Sequence, residues 1–426
     1  MIVSKVHINS FKSIHKMTLP LSPKITVLIG PNESGKTNIL KAIEHVRPDM
    51  PLNNELTCQY SELYHVSKPP QIAIELTNFT REEQTKLAKI YEGFRSVDSF
   101  ILKREGPKLS DYKIQLNEKT LAIGNVKSLF EFFPKILYFD TIPIIKDRVD
   151  MESILKGEND SRTERNLLKI GGIEDPSLIF EDSTRGRRAT EETGREITRR
   201  IQEVWTQEPT LEIKLRVNGK LLYIDFSDAT TVYDTPKTRS QGFLWYLSFY
   251  INFIATTSEA KANEYLFLLD EPGLHLHPSG QKDLTHLLEN LSEKNQLVYT
   301  THSPFMINRD HPQRVRLITK DKDGILKRET LTKDWKDWID YWAVDFNYQR
   351  KKEIIRVIEG GEEKEEWTGN YIFENEWQSF RTKKNLEIEL ISMSHTYDKP
   401  GRYKIAVRVV DILGQDTLQT IEIDIK

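Results

Sequence analysis

Cysteine is almost absent: Cys58 is the single one in 426 residues. An intrachain disulfide framework and a multi-cysteine zinc or iron–sulfur site are thereby excluded, and the usage suits a reducing, cytoplasmic compartment. Net charge is almost absent too. The 61 lysines and arginines against 64 aspartates and glutamates leave −3. Any contact with nucleic acid must therefore come from a local patch rather than a globally basic surface. Long apolar runs are missing as well. The longest, residues 243–255, is interrupted by Ser248 and Asn252 and falls short of the ~18 residues a membrane-spanning helix needs. No secretory signal pattern opens the chain. Its first residues alternate apolar with polar and include Lys5, Lys12, Lys16 and Lys24. A cytoplasmic protein without membrane contact is the expectation. No heptad run is long enough for a coiled-coil arm, and no internal repeat is visible.

What is present suffices for one large α/β domain with insertions and a small appended domain, since 38% of the residues are hydrophobic. Residues 25–29 are a short apolar run, read as a buried parallel strand. Residues 35–45 read as a helix. Alternation predicts strands over 71–76, 99–104 and 112–116, and the apolar run 136–139 predicts another. Residues 150–200 are polar, with Gly171, Gly172, Gly186 and Gly194. They read as loop and surface helix, with one amphipathic helix marked by Ile197, Ile201, Val204 and Trp205. Residues 211–217 and 220–226 flank Asn218-Gly219, a dipeptide that favours a type I′ turn, so a β-hairpin is predicted. Residues 243–255 are apolar nearly all round, which predicts a buried helix. Strands are predicted over 265–269 and 296–300. Between them Leu284, Leu287, Leu288 and Leu291 mark a helix that ends near Lys294. Strands over 315–318 and 324–330 bracket the turn Asp321-Lys322-Asp323-Gly324. From residue 386 the sequence alternates like antiparallel β-structure, with turns at Lys399-Pro400-Gly401 and Leu413-Gly414-Gln415.

Four motifs carry chemistry. The first, Gly30-Pro31-Asn32-Glu33-Ser34-Gly35-Lys36-Thr37, fits G-x-x-x-x-G-K-[ST] between a strand and a helix. Its glycines let backbone N–H groups close around phosphates, and the following helix offers its positive N-terminus. Lys36 would neutralise the β- and γ-phosphates, and the Thr37 hydroxyl would ligate Mg2+. The second, Leu266-Phe267-Leu268-Leu269-Asp270-Glu271, delivers two carboxylates at the C-terminal end of a strand, the edge where nucleotides bind in α/β sheets. Asp270 would hold Mg2+, and Glu271 would orient or deprotonate the attacking water. The third, Thr300-Thr301-His302-Ser303-Pro304, sets a histidine at a strand end where it can reach a γ-phosphate. The fourth, Arg239-Ser240-Gln241-Gly242-Phe243, opens the buried helix. A hydroxyl, a glycine N–H and a helix N-terminus together suit an anion, and the serine also reads as a simple N-cap.

These motifs in this order resemble the ABC-type ATPases, in particular the RecF/SMC/OLD branch of AAA-like ATPases. The resemblance is carried by Phe11-Lys12-Ser13, GPNESGKTN from Gly30, RSQGF from Arg239, LLDEPGLHLHP from Leu268 and YTTHSPFMI from Tyr299, over about the first 320 residues. It implies an α/β fold: an ABC-type P-loop ATPase head with a mixed β-sheet, over residues 1–335, with a helical insertion at about 48–235. A small β-rich interaction module would follow over 336–426. ATP and Mg2+ are the implied cofactors. Gly30, Pro31, Asn32, Glu33, Ser34, Gly35, Lys36, Thr37 and Asn38 would bind nucleotide, with Lys12 close by. Thr37 and Asp270 would hold the metal, and Lys36, Glu271 and His302 would be catalytic. Ser240 and Gly242 would touch ATP held by a partner subunit, so a homodimer or higher oligomer joined through the heads is implied. The implied role is in DNA repair or anti-phage defence, with DNA and a protein effector among the candidate partners. The alternative is an ATP-gated regulatory subunit that holds or releases a separate nuclease or toxin.

The sequence departs from the family pattern in places. Gln241 stands where transporters have the first of two glycines, and no Q-loop glutamine is identifiable, Tyr138-Phe139-Asp140 being the candidate replacement. His275 and His277 would either approach the opposite site or shape their turn. The Asp321-Lys322-Asp323-Gly324 turn has the spacing of a TOPRIM metal pair but lacks the apolar strand before it, so intrinsic nuclease activity is not expected. Residues 340–346 and 395–414 resemble the tail of certain site-specific DNA methyltransferases, and 397–414 a PKD-type β-sandwich edge. No Asp-Pro-Pro-Tyr or Asn-Pro-Pro-Tyr motif accompanies them. Arg185, Arg187, Arg188, Arg195, Arg199 and Arg200 cluster, but Glu191, Glu192 and Glu196 are interleaved, which favours a solvated helix face over a phosphate contact.

Overall fold

The computed structural model describes residues 1–58, 69–116, 119–122, 126–139, 142–180, 184–230, 235–257, 263–308, 310–320, 326–330, 339–359, 362–380, 389, 391–412 and 416–425. Asp140 and the turns at 321–324 and 413–415 lie outside them. The chain divides into two compact units, residues 1–320 with 324–329, and residues 321–323 with 330–426.

The first unit opens on an antiparallel hairpin, β1 (Ile2–Phe11) and β2 (Ile14–Pro20), followed by β3 (Ile25–Ile29) and α1 (Lys36–Glu44). All five residues of β3 are buried, as a strand covered on both faces requires. Next come β4 (Gln71–Thr77), α2 (Arg81–Ile90), β5 (Ser99–Arg104), β6 (Tyr112–Leu116) and β7 (Lys119–Ala122). Thr80 and Glu83 start α2 with a reciprocal capping box. The strands order as β2-β1-β4-β5-β6-β7 in an antiparallel sheet. Alternate residues such as Ile72, Ile74, Phe100, Leu102 and Ile114 enter the core, and the polar set faces away. Arg104 is the exception on the core side. Its buried guanidinium donates to the carbonyls of His45, Arg47 and Met50, fixing the chain that leaves α1.

After α3 (Val126–Phe130) and β8 (Lys135–Phe139) the chain enters a mostly helical region: β9 (Arg148–Asp150), α4 (Met151–Leu155), α5 (Arg162–Ile170), α6 (Thr184–Gln202), β10 (Glu212–Asn218), β11 (Leu221–Ser227) and α7 (Gln241–Thr257). Two expectations are corrected here. Among the described residues, 150–200 hold three α-helices rather than loop and one helix. The face that buries α5 includes Thr163 and Glu164 beside Leu167, Leu168 and Ile170, so hydrophobic periodicity understates it. The hairpin exists, but Asn218 pairs with Leu221 inside the ladder. The turn is Gly219-Lys220, with φ +59° at Gly219 and no positive φ at Lys220. That is the first-position glycine of a II′ turn, not a I′ turn. Ser248 and Asn252 interrupt the apolar run of α7 because they bond inward: Asn252 Nδ2 donates to Thr163 Oγ1 at 2.8 Å, and Ser248 Oγ to the Leu244 carbonyl at 2.6 Å.

β12 (Tyr265–Leu269), α8 (Pro278–Ser292), β13 (Gln296–Thr300), β14 (Val315–Lys320) and β15 (Leu326–Thr330) complete the second sheet, ordered β15-β14-β3-β13-β12-β8. From β14 to β8 its neighbours are parallel. Parallel strands bring their C-terminal ends to one edge. Registers Thr300↔Leu28, Leu269↔Tyr299 and Leu269↔Phe139 gather the ends of β3, β13, β12 and β8 there.

The second unit is β-rich. β16 (Ile339–Asp345), β17 (Lys352–Glu359), β18 (Glu362–Tyr371), β19 (Trp377–Phe380), β20 (Gly401–Asp411) and β21 (Asp416–Ile425) form the sheet β19-β16-β20-β21 and the separate hairpin β17-β18. Trp342 packs edge-on against Trp377 at 4.6 Å, and the Tyr397 hydroxyl donates to the Phe346 carbonyl at 2.9 Å. Among the described residues no helix is long and apolar enough to cross a membrane.

Candidate functional site

Beyond β3 the chain turns at Gly30 with φ +144°, where a Cβ would lie 2.1 Å from the Ile318 carbonyl oxygen. Only glycine fits that approach. The loop passes through Glu33 at φ +60° and Gly35 at φ +94°, and Lys36 begins α1. Pro31, Asn32 and Glu33 are exposed, whereas Ser34 is buried with its hydroxyl unpartnered. Lys36 Nζ folds back to donate to the carbonyls of Gly30 and Pro31 at 3.0 Å each, and it lies 2.9 Å from His302 Nε2. Burial pushes the Lys36 pKa down, against the pull of the Glu271 and Asp270 carboxylates.

β12 hands over Asp270 and Glu271. Asp270 Oδ1 accepts from Thr37 Oγ1 at 3.2 Å and from Thr300 Oγ1 at 2.7 Å, and Oδ2 accepts from the Tyr138 hydroxyl at 3.1 Å. Thr37 and Asp270 thus present paired hard oxygens, the donor type Mg2+ takes when substrate phosphates and water supply the rest. That donor set fits the expected metal. Among the described residues no group of three or more His, Cys, Asp or Glu is placed to hold a metal ion, so the phosphates and water would have to complete the coordination.

Glu271 stands at φ +48°. Backbone held in that region clusters at functional sites, and here three bonds hold it. Its N–H donates to Thr300 Oγ1 at 2.8 Å, its Oε2 accepts from the His302 N–H at 3.2 Å, and its Oε1 lies 3.2 Å from His302 Nε2. Burial raises the Glu271 pKa, and His302 and Lys36 oppose the rise. His302 Nε2 therefore faces both Lys36 Nζ and Glu271 Oε1. One ring nitrogen cannot accept from the ammonium and donate to the carboxylate at once, so the protonation of the three groups is linked.

The structure brings together Lys36, Thr37, Asp270, Glu271 and His302 from three separate motifs. Lys12 and Asn38 sit at the rim of α1. Lys12, at φ +49°, has Lys41 and Glu44 as its charged neighbours, and burial lowers its pKa. Asn38 Nδ2 donates to Ser13 Oγ at 2.7 Å, tying α1 to the β1–β2 turn. Among the described residues no hydrogen bond joins Lys12 or Asn38 to the Asp270 cluster. Ser240 is exposed and acts as an N-cap, its Oγ accepting from the Phe243 N–H at 3.2 Å. Gly242 is buried, and a Cβ there would lie 2.5 Å from the His275 carbonyl oxygen. The start of α7 thus packs on the loop that follows Glu271. His277 caps α8, with Nδ1 accepting from the Ser279 N–H at 3.4 Å. His277 therefore shapes its turn, while His275 is exposed and meets α7 through its backbone carbonyl.

Thr300 was invisible as a functional residue in the sequence, although it stands two positions before His302 in the third motif. Gln281 was missed as well. Its Nε2 donates to the Gly273 carbonyl at 3.0 Å and its Oε1 accepts from Ser303 Oγ, so α8 ties the two carboxylate- and histidine-bearing loops together. On α6, Arg188 pairs with Glu192 at 2.9 Å, Arg199 with Glu196 at 2.8 Å, Arg200 with Glu196 at 2.6 Å, and Arg195 lies 3.9 Å from Glu191. That face is solvated and self-paired.

Comparison with known proteins follows the same lines. The chain matches the AAA ATPase domain family over residues 1–167 and 239–307. It is 22% identical over 378 residues to the Old nuclease of Escherichia phage P2, covering 78% of this chain and 61% of that protein. It is 37% identical over 78 residues to the DNA replication and repair protein RecF of Psychromonas ingrahamii, covering 18% of this chain and 21% of that protein. The SMC head domain from Thermotoga maritima aligns with a TM-score of 0.45 at 14% identity, covering 78% of this chain and 100% of that domain. The expected kinship with the RecF and OLD branch is borne out. The chain spans less than two thirds of the curated relatives it matches here.

Proposed function

The chain belongs to the AAA ATPase domain family, and from that premise we propose that it binds ATP with Mg2+ at the Gly30–Thr37 loop, hydrolyses it through Glu271, and uses the cycle in a DNA transaction such as repair or anti-phage defence. The observation that carries this reading is the convergence of two bonded groups, Thr37 with Asp270 and Lys36 with His302 and Glu271, joined through the Thr300 hydroxyl. Phosphoryl transfer asks the protein mainly for positioning and charge neutralisation. Lys36 and the N-terminus of α1 would receive the phosphates. Glu271, held by Thr300 and His302, would orient the attacking water and take its proton. His302 would couple Lys36 to that carboxylate. When bound, the metal held by Thr37 and Asp270 would neutralise charge on the phosphate oxygens.

Ser240 and Gly242 would meet ATP of a second head, so association through the heads would follow ATP binding. Exposure of Ser240 at the start of α7 supports that arrangement. The chain's relatives, a phage nuclease and a DNA replication and repair protein, support DNA as the context. We assign no strand cleavage to this chain by itself and place that chemistry in a separate effector.

The test is ATP turnover by wild type and by Glu271→Gln, with and without duplex DNA, while mass in solution is followed. The expected result is turnover lost in the variant together with an ATP-trapped dimer. A wild type with neither turnover nor nucleotide-dependent association would refute the reading. Metal-dependent DNA cleavage by the purified chain would refute the separate-effector part.

A further inference from the structure

The antiparallel sheet β2-β1-β4-β5-β6-β7 buries one face, and its other face is polar. Registered pairs align Thr18, His7, Ala73, Lys103 and Lys113 in one row across five strands. Lys16, Asn9 and Gln71 form the next row. Ala73 is the small residue in the middle of the first row. Around it lies a depression of about 290 Å³, lined by His7, Asn9, Gln71, Lys103 and Gln115 among others.

His7 points to what would fill it. Its Nδ1 lies 3.0 Å from Thr18 Oγ1, while its Nε2 is buried with no partner. Buried polar atoms are normally hydrogen-bonded. Burial pushes the imidazole pKa down, Glu75 opposes, and Lys5 and Lys103 add to the lowering. In the tautomer in which the Thr18 hydroxyl donates to Nδ1, the neutral ring carries its proton on Nε2 and offers it to an acceptor. Charge asks for the same thing. Lys5 pairs with Glu75 and Lys113 with Glu105, but Lys16 and Lys103 have no carboxylate partner among the described residues. Lys103 also faces Lys113 directly across the ladder. An anion over Ala73 would answer both His7 and Lys103.

The ligand is extended rather than a single ion. Lys16 and Lys103 stand three strand spacings and one row apart, about 16 Å at the usual ~4.8 Å per strand and ~3.4 Å per residue, which is too far for one phosphate and suits separate phosphates of a polymer. Ile101 aside, that face carries no large apolar side chain among the described residues, so it lacks the aromatic and aliphatic anchors of a protein interface. We propose that this sheet face docks the sugar–phosphate backbone of nucleic acid, with one phosphate seated over Ala73 between His7 and Lys103 and the strand continuing past Asn9 and Gln71 to Lys16. The proposal rests on the DNA reading above and names where that contact is made.

The test is fluorescence anisotropy of a labelled DNA strand and its duplex, titrated with the full chain at several salt concentrations. Lys16→Glu and Lys103→Glu are each expected to weaken binding roughly ten-fold and to flatten the log K against log salt slope by about 1, with DNA-free ATP turnover unchanged. Ala73→Leu, which fills the depression without altering charge, is expected to weaken binding several-fold with an unchanged thermal melt. Arg188→Glu, on the self-paired face of α6, should change nothing. A wild type that binds DNA, with both lysine variants binding equally well, overturns this surface and leaves the DNA reading standing. A wild type that binds no DNA, with or without ATP, overturns both. Binding of inorganic phosphate that Lys103→Glu abolishes while DNA affinity stays intact would make this a small-anion site and refute the docking proposal.

Discussion

The Tyr138 hydroxyl donates to Asp270 Oδ2 at 3.1 Å across the parallel pair β8–β12. Thr37 and Thr300 hold the other oxygen, so both carboxylate oxygens are committed and the rotamer of Asp270 is fixed. Tyr138 also lies near the end of β8. Beyond it, the Pro143 carbonyl accepts from Thr163, the Ile145 N–H donates to Ser248 Oγ, and the Lys146 N–H donates to Glu164. Residues 143–146, which follow β8 in the chain, are thus tied to α5 and α7.

Tyr138→Phe should expose what that bond contributes. A hydrogen bond to a charged group contributes about 1.5–3 kcal/mol. Partial exposure of Tyr138 places the effect at the lower end, so turnover should fall roughly ten-fold. Half-saturating Mg2+ should rise, and the thermal melt should fall modestly. An unchanged Mg2+ dependence would mean that Thr37 and Thr300 suffice to hold Asp270.

That pair also marks where the sequence stops being legible. The sequence offers Tyr138 only as part of a segment standing in place of a missing glutamine; its partner lies 132 residues away, and no local pattern encodes the contact. Thr300 escaped for the same reason. By contrast Gly30 to Thr37, Asp270, Glu271 and His302 were legible because each motif is short, contiguous and seated at a strand end. The strands 99–104, 112–116, 265–269 and 296–300 fall where their patterning places them. The patterning fails where a polar side chain is buried by a partner from elsewhere, as Glu164 is in α5. It fails again at Asn218-Gly219, where strand pairing moved the turn by one residue and drew the asparagine into the ladder.

Glu271 should write its environment into the pH profile. Burial raises its pKa above the ~4.3 of a solvated glutamate. Water activation needs the carboxylate, so turnover should be full above the raised value and lost as pH falls through it. His302 and Lys36 hold the rise back, so His302→Gln should move the acid limb to still higher pH while also lowering the plateau. The measurement is kcat against pH under saturating ATP and Mg2+. An acid limb at the ordinary glutamate value, or one unmoved by His302→Gln, would separate the rate-limiting proton from Glu271.

Ser240 offers the sharpest separation of a structural role from a functional one. As an N-cap, its Oγ accepts from the Phe243 N–H at 3.2 Å. Replacing a serine cap by alanine costs about 1 kcal/mol, whereas glycine costs only a few tenths. A residue that merely caps α7 would thus be rescued by glycine in every readout. A hydroxyl that also reaches ATP on a second head would not be, because glycine restores the cap conformation and no donor. The expected outcome is that Ser240→Ala melts at a lower temperature than wild type and Ser240→Gly melts close to it. Both should lose ATP-dependent association and turnover while still binding ATP. Full activity in Ser240→Gly would confine Ser240 to the cap, and the contact between heads would then have to run through Gly242 and the His275 loop against which it packs.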